Sequence, residues 1–351
     1  MGRVLVFESP GVVTLGVEQD RPLGDSEVRV RTLFSGISAG TELTAYRGTN
    51  PYLHKRWDDQ QRLFVPGAAH FPYPLVGWGY EEVGEVIEVG GAATDIAIGQ
   101  RVYGAWGHRQ TAVISAAHAR SHLLPPGVDP IFGIFARIGA IALNGILDAQ
   151  INLGEAVAVF GLGVVGQIVA QLARLSGADV IAVDLRESRL DLARQLGIET
   201  VLNAADGDVA QTIKQLTHGR GADVCIEATG STAALHEASR SCAYGSRVVA
   251  LGFFQGEARG LWLGEEFHHN RIAIVCSQIG GVAPALSQRW DRLRLETTLM
   301  RLIAQDRVQL RSLITHVAPP ERAGELFAAL DSQPDAVMQA VIAFGDERAA
   351  T

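Results

Sequence analysis

The chain has 351 residues, enough for two domains with separate cores, and a formal net charge of −8 that, with no Lys/Arg-rich run, argues against a nucleic-acid surface. Its three cysteines, Cys225, Cys242 and Cys276, are widely spaced with no CxxC, so neither a disulfide framework nor a cysteine zinc cluster is implied. The opening MGRVLVFESPG lacks the apolar region of a signal peptide, and the expectation is a soluble, cytoplasmic protein with no membrane partner.

The first part reads as β-rich. Apolar or β-branched runs at residues 4–7, 28–34, 83–89 and 111–114 alternate with Gly, Pro and Asp turns, as in a barrel-like domain. Residues 47–74 read as a long loop or lobe with scattered aromatics, and residues 130–150 turn helical. In AVAVFGLGVVGQIVAQLARLSGADVIAVD, residues 156–184, an apolar run leads into Gly161-x-Gly163-x-x-Gly166, then a helical stretch, then a second apolar run ending in Asp184. Gly161 permits the tight turn, Gly163 lets the backbone approach a pyrophosphate, and Gly166 lets the helix pack closely on the sheet. The free N–H groups of that helix face the phosphates, and Asp184 is placed to accept from an adenosine ribose. This pattern implies NAD or NADP.

The α/β alternation continues with helices at 186–196, 209–216 and 231–242 and strands at 200–202, 223–227 and 247–251, the repeat of a doubly wound parallel sheet. A helix follows at 290–305. A last strand, 337–344, is expected to return to the first domain.

Six segments carry a resemblance over essentially the whole chain: SGISAGTEL (35–43), PLVGWGYEEVGEVIEVG (74–90), GQRVYG (99–104), the GLGVVG turn, GADVCIEATGS (221–231) and RSLITHVAPPERAGELF (311–327). Together they resemble the medium-chain dehydrogenase/reductase family, best known for zinc alcohol dehydrogenases. The resemblance implies an α/β protein: a GroES-like β-barrel-type catalytic domain (1–145 and 286–351) interrupted by a Rossmann doubly wound parallel-sheet domain (146–285), with the active site in the cleft between them. It adds Val164, Val165, Thr229, Gly230, Leu251 and Gly252 to the cofactor-binding residues. It also implies a small-molecule substrate and a homo-oligomer, dimer or tetramer. The SGIS-x-GTE and GYE-x-VG patterns are locally similar to the dehydrogenase that oxidises the hydroxyethyl group of bacteriochlorophyllides.

The departures concern the metal. Zinc members carry a Cys in GIC, a His-Glu pair in GHE, and a Cys or Glu ahead of the cofactor domain. Here Ser38 follows Gly36-Ile37, Tyr80 stands in Gly79-Tyr80-Glu81, and the third position falls near Ile141. Hydroxyl, phenol and isoleucine do not supply the nitrogen, sulfur and carboxylate donors of a catalytic zinc. A site rebuilt from His54, His70, Glu81 or His108 lacks helical i,i+4 ligand spacing. A zinc-independent enzyme is expected.

Hydride transfer to a ketone develops negative charge on oxygen, and without a Lewis acid a hydrogen-bond donor must stabilise it. The resemblance turns Tyr80 toward the cleft, where its phenol can donate if neighbours lower its pKa from about 10. Thr41, allowing one inserted residue, matches the family's proton-passing Ser/Thr; capping of the following helix competes for Thr41 and Glu42. Ser38 suits the same hydroxyl task, and Thr44 falls near the family's relay His. Glu81 either tunes the phenol or holds structure, and His108 is either a reserve acid or a packed ring. Trp57, Trp78 and Trp106, with Phe64, Phe71, Tyr73 and Tyr103, either line a pocket for a bulky or aromatic substrate or fill the core. Asp184 disfavours a 2′-phosphate, so NAD(H) is preferred, while Arg186 and Arg189 leave NADP(H) open. Alcohol/carbonyl interconversion leads the expected reactions. Reduction of an enone C=C bond is the enzymatic alternative, and a non-catalytic nucleotide-binding sensor is the alternative of another class.

Overall fold

The computed structural model describes residues 1–67 and 69–345. The chain divides into two compact units, one formed by Met1–Arg137 with Leu313–Thr351 and the other by Ile138–Ser312.

In the first unit, strands run in the order Ile314–Ala318, Gln339–Ala343, Glu27–Ile37, Glu82–Val89 and Arg101–Gly104, and Thr111–Ser115 also pairs with Glu27–Ile37. Two-residue alternation builds the long strand: Val28 and Val30 are buried, while Arg29 and Arg31 reach Glu88 and Glu85 on the neighbouring strand. A smaller sheet joins Val12–Glu18, Gly2–Ser9 and Leu75–Val76. Leu5, Phe7, Ile37, Leu43, Phe327 and Ile342 share one core, with the Phe7 and Phe327 rings edge to face at 5.0 Å. The last strand does return to this unit, between Ile314–Ala318 and Glu27–Ile37. Residues 47–74 are more ordered than a loop. They hold a hairpin of Arg56–Asp58 and Leu63–Val65 under packed rings, with Trp57–Phe64 centroids 5.0 Å apart and Phe71–Trp78 5.4 Å apart.

The second unit is a six-stranded parallel sheet in the order Thr200–Asn203, Asp179–Asp184, Ala156–Phe160, Ala222–Glu227, Cys242–Ala250, Ala273–Cys276. This is the doubly wound order, reversing beside Ala156–Phe160. Every residue of that strand is buried, as a parallel strand covered on both faces requires.

The units part after Arg137 and after Ser312, against the expected boundaries at 145 and 286. Helices Phe135–Ala149 and Arg292–Ala304 account for the difference by packing with the parallel sheet. A Cβ on Gly139 would lie 1.7 Å from Leu299, and one on Gly145 would lie 2.9 Å from Leu251. Periodicity identifies such helices but not the sheet they cover. Pro130–Ala149 is apolar enough to cross a membrane by length and composition, yet 72% of its most apolar window is buried in the fold, as in a core helix.

Candidate active site

Pairing between Glu27–Ile37 and Glu82–Val89 ends at Ser35 opposite Glu82, with one further bond from the Gly36 N–H to the Glu81 carbonyl at 2.7 Å. Past that point both chains carry polar side chains into one cluster. The Ser38 hydroxyl is hydrogen-bonded to the Tyr80 hydroxyl, and Tyr80 donates to Thr41 Oγ1 at 3.3 Å. Thr41 precedes the helix Glu42–Arg47, but its side chain makes no capping bond. Its hydroxyl belongs to the cluster instead.

Glu81 lies beneath, buried. Gln339 Nε2 donates to its Oε2 at 3.4 Å, while Oε1 is buried without a hydrogen-bond partner. Gly36 makes the room: a Cβ there would sit 2.5 Å from Glu81 Oε2. Burial, then the charges of Glu42 and Glu82, hold the Glu81 carboxyl well above the usual carboxylate range, against the opposing pull of Ser38 and Gln339. The phenol departs from expectation in sign. Burial and the adjacent Glu81 raise the Tyr80 pKa, and the bonds to Ser38 and Thr41 do not offset them. Tyr80 is a neutral O–H donor and acceptor, not an activated phenolate.

Behind this cluster stands a second polar layer. His108, fully buried, contacts Glu42 Oε2 through Nε2 at 2.6 Å and Ser35 Oγ through Nδ1 at 2.7 Å. Ser35 donates to Glu82 Oε1 at 3.1 Å, and the Trp106 N–H donates to Glu82 Oε2 at 2.7 Å. Glu42 Oε1 accepts the Ser38 N–H at 3.1 Å. Burial works against a charged imidazole, but Glu42 and Glu82 outweigh it and raise the His108 pKa; burial raises Glu82 as well. Sequence reasoning left His108 as a reserve acid and Glu42 as a helix-start residue. The signal that joins them, a long-range contact, is not in any local pattern.

Other candidates lie elsewhere. Thr44 Oγ1 donates to the Thr41 carbonyl and accepts from Asn50, a structural pair. His54 bonds the Gly48 carbonyl, and His70 packs on Tyr52 and Phe71. The three tryptophans do not form one pocket: Trp57 and Trp78 join the aromatic lobe, while Trp106 donates to Thr32 Oγ1 at 2.9 Å. Hydroxyl, neutral phenol and a carboxyl held toward neutrality are a poor donor set for zinc. His54, His70, Glu81 and His108 do not gather either. Among the described residues, the one group spaced to hold a metal is His236, Glu265 and Glu266, in the second unit.

The cofactor residues come together at the carboxyl ends of the parallel strands. Gly161 has φ +90°, and a Cβ there would lie 2.2 Å from Thr229 Cγ2. One on Gly166 would lie 1.7 Å from the Gly161 carbonyl oxygen. Gly163 faces open space and starts the helix Val164–Leu175 with no side-chain cap, leaving the first N–H groups of Val164, Val165 and Gly166 for an anion. Asp184, buried, accepts from the Leu162 N–H at 2.7 Å and the Arg186 N–H at 3.0 Å, with Arg189 at 3.6 Å. Glu227 went unnoticed in the sequence, though an acid closing an apolar strand was the available signal. Its carboxylate accepts from Thr229 and from the Gly230 N–H, while its carbonyl accepts the Leu251 and Gly252 N–H groups, both at 2.9 Å. It therefore fixes the Thr229–Gly230 turn against Gly252. These residues fit a dinucleotide.

A chain from Shigella flexneri, D-guloside 3-dehydrogenase, is 32% identical over 347 residues, covering 97% of this chain and 99% of its own. This chain belongs to the medium-chain dehydrogenase/reductase family. Residues 164–294 match the family model described as zinc-binding dehydrogenase. L-threonine 3-dehydrogenase of Chelativorans sp. is 29% identical over 307 residues, covering 79% of this chain and 83% of its own. The solved structure of 2R,3R-butanediol dehydrogenase from Bacillus subtilis superposes with a TM-score of 0.77 at 19% identity, covering 98% and 99% of the two chains. The medium-chain enzyme is thus an NAD(P)-dependent oxidoreductase of the alcohol–ketone type, with a catalytic unit of mixed sheet and a Rossmann unit.

Proposed function

We propose that this enzyme oxidises a secondary alcohol of a glycoside to a ketone, reversibly and without zinc, and prefers NAD. The single observation that carries the reading is the joined cluster of Ser38, Tyr80 and Thr41 hydroxyls above the buried Glu81. Bound nicotinamide supplies the hydride acceptor. The protein's part is the proton. Tyr80 and Thr41 hydrogen-bond the substrate hydroxyl; as Tyr80 takes that proton it passes its own to Ser38, and a small rotation of the Ser38 hydroxyl delivers a proton to the unpartnered Oε1 of Glu81. In reduction the same path runs outward, and Tyr80 donates to the developing alkoxide.

The glycoside is favoured by the guloside-oxidising relative and by the aromatic lobe beside Tyr80, where partly exposed rings such as Phe71 suit the apolar C–H face of a sugar. That refines the bulky substrate expected from the tryptophans. NAD preference rests on the Asp184 carboxylate. Carbonyl chemistry leads over enone reduction because the relatives described above are named for alcohol oxidation. The test measures NADH formation at 340 nm with a panel of methyl glycosides, before and after exhaustive chelation, alongside metal analysis. Activity that survives chelation with negligible zinc supports the reading. Activity lost on chelation and restored by zinc would sink it.

A further inference from the structure

We infer that His108 is a positioning residue that holds the hydroxyl cluster in register, together with its partners Glu42 and Ser35. This rests on the reading above and deepens it. Ser38, Thr41 and Tyr80 lie just past the sheet: Ile37, paired with Ala340, is the last paired residue before Ser38, and the bond from the Gly36 N–H to the Glu81 carbonyl is the last backbone tie to the Tyr80 segment, so sheet hydrogen bonds reach none of the three themselves. His108 joins the two chains at that point. Through Nε2 it holds Glu42, whose other carboxylate oxygen accepts the Ser38 N–H; through Nδ1 it holds Ser35, which bonds Glu82 at the root of the Tyr80 segment. The same ring lies against Gly79, where a Cβ would come within 2.9 Å of the imidazole and where φ is +145°. Gly79 lets the chain carrying Tyr80 rest directly on His108. The imidazole donates from both nitrogens when protonated, one bond to a carboxylate and one to a hydroxyl, which matches the partners it has. Its own ring touches neither the Tyr80 hydroxyl nor Thr41, so its action is through the groups it holds.

The experiment compares the full-length His108→Gln and Tyr80→Phe enzymes with wild type, using the methyl glycoside that wild type oxidises fastest. Displacement of relay groups by a fraction of an ångström to one ångström predicts that His108→Gln lowers kcat about ten- to a hundredfold. NADH affinity, read by fluorescence, should stay near wild type, and the deuterium isotope effect on the transferred hydrogen should rise. A merely structural role would instead lower the melting temperature and the titrated fraction of active sites, with kcat per site and isotope effect unchanged. Wild-type kcat in folded His108→Gln overturns the inference. If that variant does not fold, Ser35→Ala, which keeps the imidazole and removes the Ser35 bonds to His108 Nδ1 and Glu82 Oε1, should still lower kcat per site, and a wild-type value there overturns it equally. A fall in Tyr80→Phe with none in the His108 variant defeats this inference alone. No fall in Tyr80→Phe defeats the hydroxyl relay itself.

Discussion

Tyr80 and Glu81 are sequence neighbours with opposite tasks, and their surroundings assign them. The phenol is held neutral by burial and by Glu81 and is hydrogen-bonded to both Ser38 and Thr41, which suits the two-way conduit of the proposed relay. The carboxyl, raised by burial and by the charges of Glu42 and Glu82, is the proton acceptor and donor of the proposed relay. Oxidation needs its carboxylate to accept a proton, and reduction needs its acid form to give one. The oxidation rate should therefore rise with pH and the reduction rate fall. Glu81→Gln should flatten both profiles and lower kcat about a hundredfold, by analogy with loss of a general acid–base; steady-state pH profiles in both directions check this. Tyr80→Phe deletes the donor to the alkoxide, with an expected loss of about a hundred- to a thousandfold in kcat measured with the same glycoside. Ser38, Thr41, Tyr80 and Glu81 were picked out by family alignment, and the structure brings them into one cluster. The direction of the Tyr80 shift was not legible in the sequence, because it depends first on burial, which long-range packing sets, and only then on the neighbouring Glu81.

At the scale of elements, the glycine turn was the most readable part of the chain, because Gly161 and Gly166 answer steric demands that no other residue meets, while Gly163 leaves open space at the helix start. Gly166 is the tightest: a methyl group there would overlap the Gly161 carbonyl at 1.7 Å. Gly166→Ala must push the helix Val164–Leu175 off the turn. The expected outcome is a loss of about 1–3 kcal/mol in stability and a clear weakening of NADH binding, read by thermal denaturation and fluorescence titration. The strands Val12–Glu18, Arg101–Gly104 and Ile314–Ala318 escaped the sequence reading. Each is short or half-exposed, and their pairing partners, not their own pattern, make them strands. The helix at Arg292–Ala304 was read correctly as a helix and assigned to the wrong unit, since amphipathicity names a buried face without naming what buries it.

For the whole molecule, the two polar layers carry a consequence for stability. Glu81, Glu82 and His108 all have folded pKa values raised above their unfolded values, so the native state binds more protons than the unfolded chain. Their contribution is fully present below the unfolded values of about 4.5 for the carboxyls and 6.5 for the imidazole, and is lost as pH rises through the folded ones. Surface carboxylates with lowered pKa values, such as Glu27 at about 2, act in the opposite sense only at acid pH. The melting temperature of the first unit should therefore fall from neutral toward alkaline pH, and Glu81→Gln should reduce that slope. Calorimetry over a pH series that starts below the ordinary imidazole pKa and runs to alkaline pH measures it, and a flat profile would contradict the assignment.

The strand Gln339–Ala343 is buried along its whole length and sits inside the first unit's sheet, with Gln339 against Glu81. During synthesis every residue of the second unit leaves the ribosome first, while the opening 137 residues still lack the strand that completes their sheet. The nascent N-terminal portion therefore carries an open seam along Phe34–Ile37 until Gln339–Ala343 emerges. A message or protease that removes residues 339 onward leaves the nucleotide-holding residues intact and uncovers Glu81, the acid of the proposed relay. Synthesis of this one strand thus closes the sheet and the pocket around Glu81 in a single late step.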